Sequence, residues 1–192
     1  MQKQVVVIAG PTGSGKDSVI QGIIARYPNA ERMVTAATRA MRPGEKSGIN
    51  YHFMTNDQFK KEMEAGNILE HYYRDKTDTY YGTYKPDIED RIKRGKVVLC
   101  QLQIVGAKYM KEHYNATTFF IMPASIDAFE KRTRERSPMS DQEWRERLEF
   151  TKREIEKEAP WYDYRIANED GKLKDAVDEV VEILRKEGYH LE

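Results

Sequence analysis

A glycine-rich loop near the start of the chain, Gly10-Pro11-Thr12-Gly13-Ser14-Gly15-Lys16, most restricts the possible folds. It follows the apolar run 5–9 and precedes the helix-like segment 17–26, and the spacing G-x-x-x-x-G-K between a strand and a helix is typical of phosphate-binding loops. The glycines let the backbone turn tightly, so that its N–H groups converge on one anion, and the helix dipole adds positive charge. The pattern therefore predicts a nucleotide-binding loop in which Lys16 reaches the outer phosphates.

The composition argues against several classes of protein. The chain has 192 residues, which suits one compact domain, and its 32 basic residues equal its 32 acidic residues. A neutral chain is a poor candidate for non-specific nucleic-acid binding, which needs a basic face. No apolar run approaches the roughly 18 residues of a membrane span. Cys100 is the only cysteine, which excludes an internal disulfide and suits a reducing cytoplasm. We expect a cytoplasmic monomer or homodimer that binds neither nucleic acid nor membrane.

Apolar strands alternate with helix-like segments along the rest of the chain. Continuous apolar runs at 97–102 and 117–122 are typical of strands buried on both faces of a parallel sheet, and 173–186 has the apolar periodicity of an amphipathic helix. This order predicts an α/β fold with a central parallel sheet. Two segments, 35–85 and 127–158, look like excursions from the sheet. The second is rich in charge and is predicted to form two helices that are too polar to be core.

Three further motifs give a resemblance to a known family. They are Thr-Arg-Ala-Met-Arg-Pro-Gly-Glu-Lys-Ser-Gly-Ile-Asn-Tyr-His-Phe at 38–53, Ile-Leu-Glu at 68–70 and Tyr-Tyr-Gly-Thr at 80–83, and with the glycine-rich loop they closely resemble guanylate kinase. The resemblance implies transfer of the γ-phosphoryl group of ATP to GMP. It also implies a P-loop NTPase-like three-layer fold with a small mixed-β nucleotide-binding lobe and a helical lid. One domain, 1–192, would then comprise a core (1–34, 86–126 and 159–192), a monophosphate-binding lobe (35–85) and a lid (127–158).

The same resemblance suggests how the acceptor phosphate is bound. In that family two arginines and two tyrosines grip this phosphate, and the matching positions are Arg39, Arg42, Tyr51 and Tyr81. Guanidinium forks bind phosphate bidentately, and phenol hydroxyls complete such a cage. We therefore expect these four side chains to form the phosphate site for GMP.

Selection of guanine is expected to depend on Thr35 and Glu70. A hydroxyl can donate to guanine O6, and a carboxylate can accept from both N1–H and the N2 amine, whereas adenine would leave Glu70 unpaired; a site built on such bonds rejects the wrong base strongly. Thr83 matches another hydroxyl that contacts the base in the family. Gln103 is expected to accept from the guanine amine through its side-chain carbonyl, without charge.

Two departures from the family pattern concern the metal. Members usually have Asp-x-Asp where this chain has Gln101 and Gln103, and the residue after the loop lysine is usually Ser or Thr, which holds Mg²⁺. Here that residue is Asp17, followed by Ser18. We hypothesise that Asp17 supplies the carboxylate that organises the Mg²⁺ of MgATP, because Mg²⁺ binds oxygen and keeps several waters. An acid that simply favours the helix dipole is an equal alternative.

Arginines in the lid segment match the family's catalytic cations. Arg132 and Arg136 are four residues apart and would share one face of a helix, and Arg147 matches a later lid arginine. Together with Lys16 they would neutralise the charge of phosphoryl transfer. Asn168 matches a position near the adenine. The residues expected to bind ATP are thus Gly10, Pro11, Thr12, Gly13, Ser14, Gly15, Lys16, Asp17, Ser18 and Asn168.

Alternative functions stay open. The run Gly15-Lys16-Asp17-Ser18 also looks like ribose 1,5-bisphosphate phosphokinase, which explains Asp17 and the missing aspartates but leaves Glu70 unexplained; dGMP and IMP are other conceivable acceptors. Guanylate-kinase-like binding modules are a non-enzymatic alternative, although they usually have a damaged P-loop and this one is intact. The arginines of 127–158 alternate with acids, so they make no continuous basic face for a nucleic acid.

Overall fold

Two β-sheets organise the chain in the computed structural model, which describes residues 3–123, 125, 129–130, 133–134 and 139–192. The central sheet has the strand order β2-β7-β1-β8-β9, and every neighbouring pair is parallel. The smaller sheet has the order β4-β3-β6-β5, with one parallel and two antiparallel pairs. The strands are β1 Val5–Ala9, β2 Ala30–Arg32, β3 Ala36–Ala37, β4 His52–Phe53, β5 Ile68–Arg74, β6 Thr79–Tyr84, β7 Val97–Cys100, β8 Thr117–Pro123 and β9 Tyr164–Asn168.

Helices connect these strands and cover the central sheet. The α-helices are α1 Lys16–Arg26, α2 Asn56–Glu64, α3 Lys85–Lys93, α4 Ile104–Tyr114, α5 Asp141–Arg153 and α6 Leu173–Lys186. Short 3₁₀ turns lie at Asp75–Thr77 and Ala159–Trp161, and a π-helical turn at Glu154–Glu158 continues α5. In the described part of the chain, no helix is both long enough and apolar enough to cross a membrane.

The core forms on both faces of the central sheet. Successive residues of a strand point to opposite faces, and every residue of β1 is buried. Val6 and Ile8 pack with α1 and α6 on one face, whereas Val5 and Val7 pack with α3 and α4 on the other. Helices on both sides of a parallel sheet give three layers, so the predicted fold class is confirmed. The boundaries predicted for core, lobe and lid stay predictions.

Two segments differ from the expectation drawn from the sequence. Residues Ala30–Arg32 form an edge strand, β2. This strand was not predicted, because the run is short and partly polar. The segment 127–158 was expected to be too polar for core, and this is wrong for two of its side chains. Phe129 and Trp144 are buried, with their ring centroids 5.4 Å apart. Sparse apolar residues can thus form a small core when they meet one another.

Candidate active site

The glycine-rich loop joins β1 to α1 and has the geometry of a phosphate cradle. Gly10, Gly13 and Gly15 have φ values of 141°, 95° and 87°, which L side chains adopt only with strain. The Ser14 N–H donates to the carbonyl of Pro11 at 3.1 Å, and Lys16 Nζ donates to the same oxygen at 3.2 Å. The hydroxyl of Ser14 is fully buried and has no hydrogen-bond partner among the described residues. The loop therefore curls around a point at the amino end of α1, where an anion is favoured.

Asn168 holds this loop from the end of β9. Its side chain is buried, and its Nδ2 donates to the carbonyl of Ser14 at 2.8 Å. The amide is thus positioned to fix the loop backbone, whereas the family resemblance had suggested a place near the adenine. The adenine role stays a prediction.

A cavity of about 480 Å³, here called the donor cavity, opens next to the loop. Its lining includes Gly10, Thr12 and Lys16 from the loop and α1, together with Arg147 and Glu154. Burial, and then the nearby Glu158 carboxylate, raise the pKa of Glu154 to about 7, while Lys16 opposes the shift. The donor cavity therefore combines two cations with a carboxyl group that is easily protonated.

A second cavity of about 850 Å³, the acceptor cavity, lies beside the first. The residues Gln101, Leu102 and Gln103, which follow β7, line both cavities. The carboxyl ends of the strands are the usual place for ligands in such sheets. Besides Gln103, five residues predicted to bind GMP line the acceptor cavity. They are Thr35, Tyr51, Glu70, Tyr81 and Thr83.

The predicted phosphate cage is assembled in part. The rings of Tyr51 and Tyr81 lie 5.8 Å apart, and the Arg39 guanidinium lies over the Tyr51 ring at 5.0 Å. Both terminal nitrogens of Arg39 donate to the Glu45 carboxylate at 2.6 Å, and these bonds hold the pKa of Glu45 at about 2. The Arg42 backbone N–H donates to Glu45 at 2.8 Å, but its side chain is exposed. The loop 39–50 thus holds Arg39 near the tyrosines through Glu45.

Glu70 reaches the acceptor cavity from an irregular part of β5. The pairing of β5 with β6 shifts register between Ile68 and His71, and such bulges re-aim side chains. The carboxylate accepts from the Thr83 hydroxyl at 3.2 Å and from the backbone N–H of Gly106. Burial nevertheless raises the pKa of the Glu70 carboxyl. A desolvated carboxylate of this kind gains strongly from N–H donors on a ligand.

Gly106 allows this approach. It lies in the first turn of α4, and a Cβ atom there would be only 2.3 Å from Glu70 Oε1. No residue with a side chain fits unless Glu70 or the helix moves. No sequence pattern identifies Gly106, because only the close approach of Glu70 distinguishes it from an ordinary helix glycine.

Arg32 lines the acceptor cavity and bonds to Gln101, and no sequence pattern predicted this role. Its Nη2 donates to Asp17 Oδ1 at 3.0 Å and to the side-chain oxygen of Gln101. Asp17, the predicted metal residue, is thus ion-paired on one oxygen, while the neighbouring Ser18 is exposed. A single arginine in an unpredicted edge strand carries no sequence signal of its own.

Two of the four predicted catalytic side chains lie at the donor cavity. Lys16 and Arg147 both line it. Arg132 and Arg136 fall outside the described residues, so their roles stay predictions. Phe129 and Thr133, which are described, pack against Gly13, because a Cβ there would lie 2.8 Å from Thr133 Oγ1 and 3.5 Å from the Phe129 ring.

The family model, two relatives and one solved structure indicate the same family. The family model for guanylate kinase matches residues 2–187. The guanylate kinase of Synechocystis sp. is 31% identical over 185 residues, covering 96% of this chain and 94% of the relative. The guanylate kinase of Carboxydothermus hydrogenoformans is 36% identical over 183 residues, covering 95% of this chain and 87% of the relative. The crystal structure of guanylate kinase from Anaplasma phagocytophilum superposes with a TM-score of 0.68 at 26% identity, covering 98% of this chain and 88% of that one.

Proposed function

The chain belongs to the guanylate kinase family, and from this premise we propose that it transfers the γ-phosphoryl group of ATP to GMP, giving ADP and GDP. The observation that carries the proposal is the meeting of the two cavities at Gln101–Gln103. One cavity holds the P-loop lysine, and the other holds a desolvated carboxylate, Glu70. The family relatives support this acceptor over the sugar phosphate and over a non-enzymatic binding module.

The P-loop would hold the β- and γ-phosphates of ATP. Its N–H groups and Lys16 supply the positive charge. The buried hydroxyl of Ser14, which no described residue binds, is available to a phosphate oxygen. Asn168 keeps the loop in shape through its bond to the Ser14 carbonyl. Phosphoryl transfer depends on such positioning and charge neutralisation more than on covalent chemistry.

Magnesium would accompany ATP. The described residues contain no group of three side chains able to hold a metal ion, which fits an ion that takes most of its ligands from phosphates and water. Asp17, whose second oxygen is not used by Arg32, is the carboxylate that would hold it. When bound, the ion would neutralise charge on the β- and γ-phosphates.

GMP would occupy the acceptor cavity with its base against Glu70. The carboxylate would accept from guanine N1–H and the N2 amine, Thr35 and Thr83 would contribute hydroxyls, and Gln103 a carbonyl. The phosphate would lie against Tyr51, Tyr81, Arg39 and Arg42. Arg39 is already placed over Tyr51, so its guanidinium needs only to exchange Glu45 for phosphate.

The segment 127–158 would close the donor site. Arg147 already lines the donor cavity, and we propose that it acts with Arg132 and Arg136 on the transferring group. Closure would also exclude water, which is the competing acceptor of the phosphoryl group.

A coupled ADP-release assay tests the proposed function. The acceptors are GMP, dGMP, IMP, AMP, UMP and ribose 1,5-bisphosphate, each supplied with ATP and Mg²⁺. We expect the highest kcat/KM with GMP. A preference for AMP or for the sugar phosphate would contradict Glu70 as the reader of guanine and would overturn the proposal.

A further inference from the structure

Arg32 is the one lysine or arginine among the described residues that line the acceptor cavity. It lies at the end of β2, and its side chain is 38% exposed. It points to Gln101, a residue that belongs to the walls of both cavities. A cation at this junction is close to the path that a phosphoryl group would take between the two substrates.

Three elements fix the guanidinium in place. Nη2 donates to Asp17 Oδ1 at 3.0 Å on α1 and to the side-chain oxygen of Gln101 after β7, while the backbone belongs to β2. A guanidinium has five N–H groups. Those on Nη1 and Nε form no hydrogen bond with any described residue, so Arg32 can bind an anion without leaving either partner.

Arg39 differs in this respect. Both of its terminal nitrogens are bound to Glu45, and its face lies on the rings of Tyr51 and Phe53. It must give up Glu45 before it can bind phosphate in a bidentate manner. Arg32 is therefore better prepared to bind an anion in the unliganded chain.

The arrangement also accounts for the glutamine at position 101. Asp17 and Arg32 together are neutral, and the Gln101 amide oxygen accepts from the guanidinium without adding charge. An aspartate at 101 would give the cluster a net negative charge next to the phosphates, which would repel them. A neutral residue at position 101 is thus consistent with the Asp17–Arg32 ion pair beside it.

We propose that Arg32 is a further catalytic residue that contacts the transferring phosphoryl group; the inference rests on the proposed function. In the transfer, the bond from the γ-phosphorus to the bridging oxygen of ADP breaks, and a bond to a phosphate oxygen of GMP forms. The electron pair of the broken bond stays on ADP. Arg32 exchanges no proton and stabilises charge on the oxygens of the group in transit.

The test compares Arg32→Gln with a matched control, Arg26→Gln. Arg26 is likewise ion-paired to a single aspartate, Asp178, but lies away from both cavities. With ATP and GMP we expect Arg32→Gln to lower kcat by about 100-fold while KM for each substrate changes by less than about threefold. Arg26→Gln should keep the kcat of the unchanged chain. A purely structural role of Arg32 would instead lower the melting temperature or raise KM without this selective loss of kcat.

A second variant, Arg32→Lys, serves if Arg32→Gln does not fold. It keeps the charge but not the planar fork, and we expect a loss in kcat of about tenfold. A folded Arg32→Gln or Arg32→Lys chain with the kcat of the unchanged chain overturns the inference alone. An unchanged chain that does not phosphorylate GMP overturns the proposed function and this inference together.

Discussion

At the scale of single residues, the acceptor cavity depends on a carboxylate held where burial disfavours its charge. Glu70 has its pKa raised by burial, although Thr83 and the Gly106 N–H donate to it. A charged group in this position is costly without further donors. Guanine would provide two N–H donors to this carboxylate. A base without these donors would leave the buried charge unpaired, so the site would select guanine.

Replacing Glu70 with glutamine should damage recognition of guanine. The amide offers one acceptor and presents N–H groups to the donors of the base, so we expect kcat/KM for GMP to fall about 100-fold while KM for ATP stays unchanged. Steady-state kinetics with each substrate varied in turn measures both. Glu64→Gln, an exposed change on α2, is the control. Equal losses in the two variants would show that Glu70 does not contact the base.

Gly106→Ala should have a similar effect without altering any group that touches the ligand. A Cβ atom 2.3 Å from Glu70 Oε1 must push the carboxylate away or shift α4. We expect KM for GMP to rise by about tenfold, because small misplacements of a binding group are costly. Glu112→Ala, an exposed change on the same helix, should leave KM unaltered. Wild-type KM for GMP in Gly106→Ala would contradict the positioning role of the glycine.

At the scale of elements, the π-helical turn Glu154–Glu158 continues α5 and places two carboxyl groups, Glu154 and Glu158, on the wall of the donor cavity. Such turns occur frequently at functional sites. Glu154 interacts there with Glu158 and Lys16, and its pKa of about 7 follows first from burial and then from the Glu158 carboxylate.

The raised pKa of Glu154 makes stability depend on pH. The folded chain binds the proton more tightly than the unfolded chain does, so this contribution is complete below pH 4.5 and is lost as the pH rises through about 7. Because Glu154 is partly exposed, the free energy of unfolding lost at pH 8 through this group is reduced to about 1 kcal/mol. Glu154→Gln should therefore raise the melting temperature at pH 8 by about 2–4 °C and by much less at pH 5.

Thermal melts at the two pH values measure this difference. Glu156→Gln, on the exposed side of the same turn, is the control and should show no such pH-dependent gain. A uniform gain for Glu154→Gln at both pH values would mean that the carboxyl group does not titrate in this range.

Elements with a strong local pattern were predictable from sequence. Residues Thr55 and Gln58 predict a capping box, and both of its hydrogen bonds are present at the start of α2. The strand β2 was not predictable, because its pairing with β7 depends on contacts distant in sequence. The same limit applies to the site. Motifs located Lys16 and Glu70, but the Asp17–Arg32 pair and the fit of Gly106 against Glu70 exist only after folding.

At the scale of the whole molecule, the two cavities share a wall at the end of β7. Both include Gln101, Leu102 and Gln103. Substrates bound on either side of this segment would place their phosphates next to each other. This arrangement suits direct transfer between them, without a covalent intermediate on the protein.

A single ligand that contains both nucleosides should bind across the two cavities. We expect adenosine and guanosine joined by five phosphates to bind at least about 100-fold more tightly than ATP, because the second contact becomes intramolecular. Isothermal titration calorimetry measures the dissociation constants of this ligand and of ATP. A ligand with a shorter linker of three phosphates should lose most of the gain. If the longer ligand binds no better than ATP, the two cavities are not occupied together.

The central place of β1 in the parallel sheet also affects how the chain acquires its structure during synthesis. Its neighbours are β7, which begins at Val97, and β8, which ends at Pro123 of the 192 residues. Ribosomes add about 5–20 residues per second. The apolar run Val5–Ala9 therefore has neither partner strand to pair with for several seconds after its synthesis. Nascent chains halted before Val97 should therefore be clients of chaperones, whereas those extended well beyond Pro123 can bury this strand on both edges.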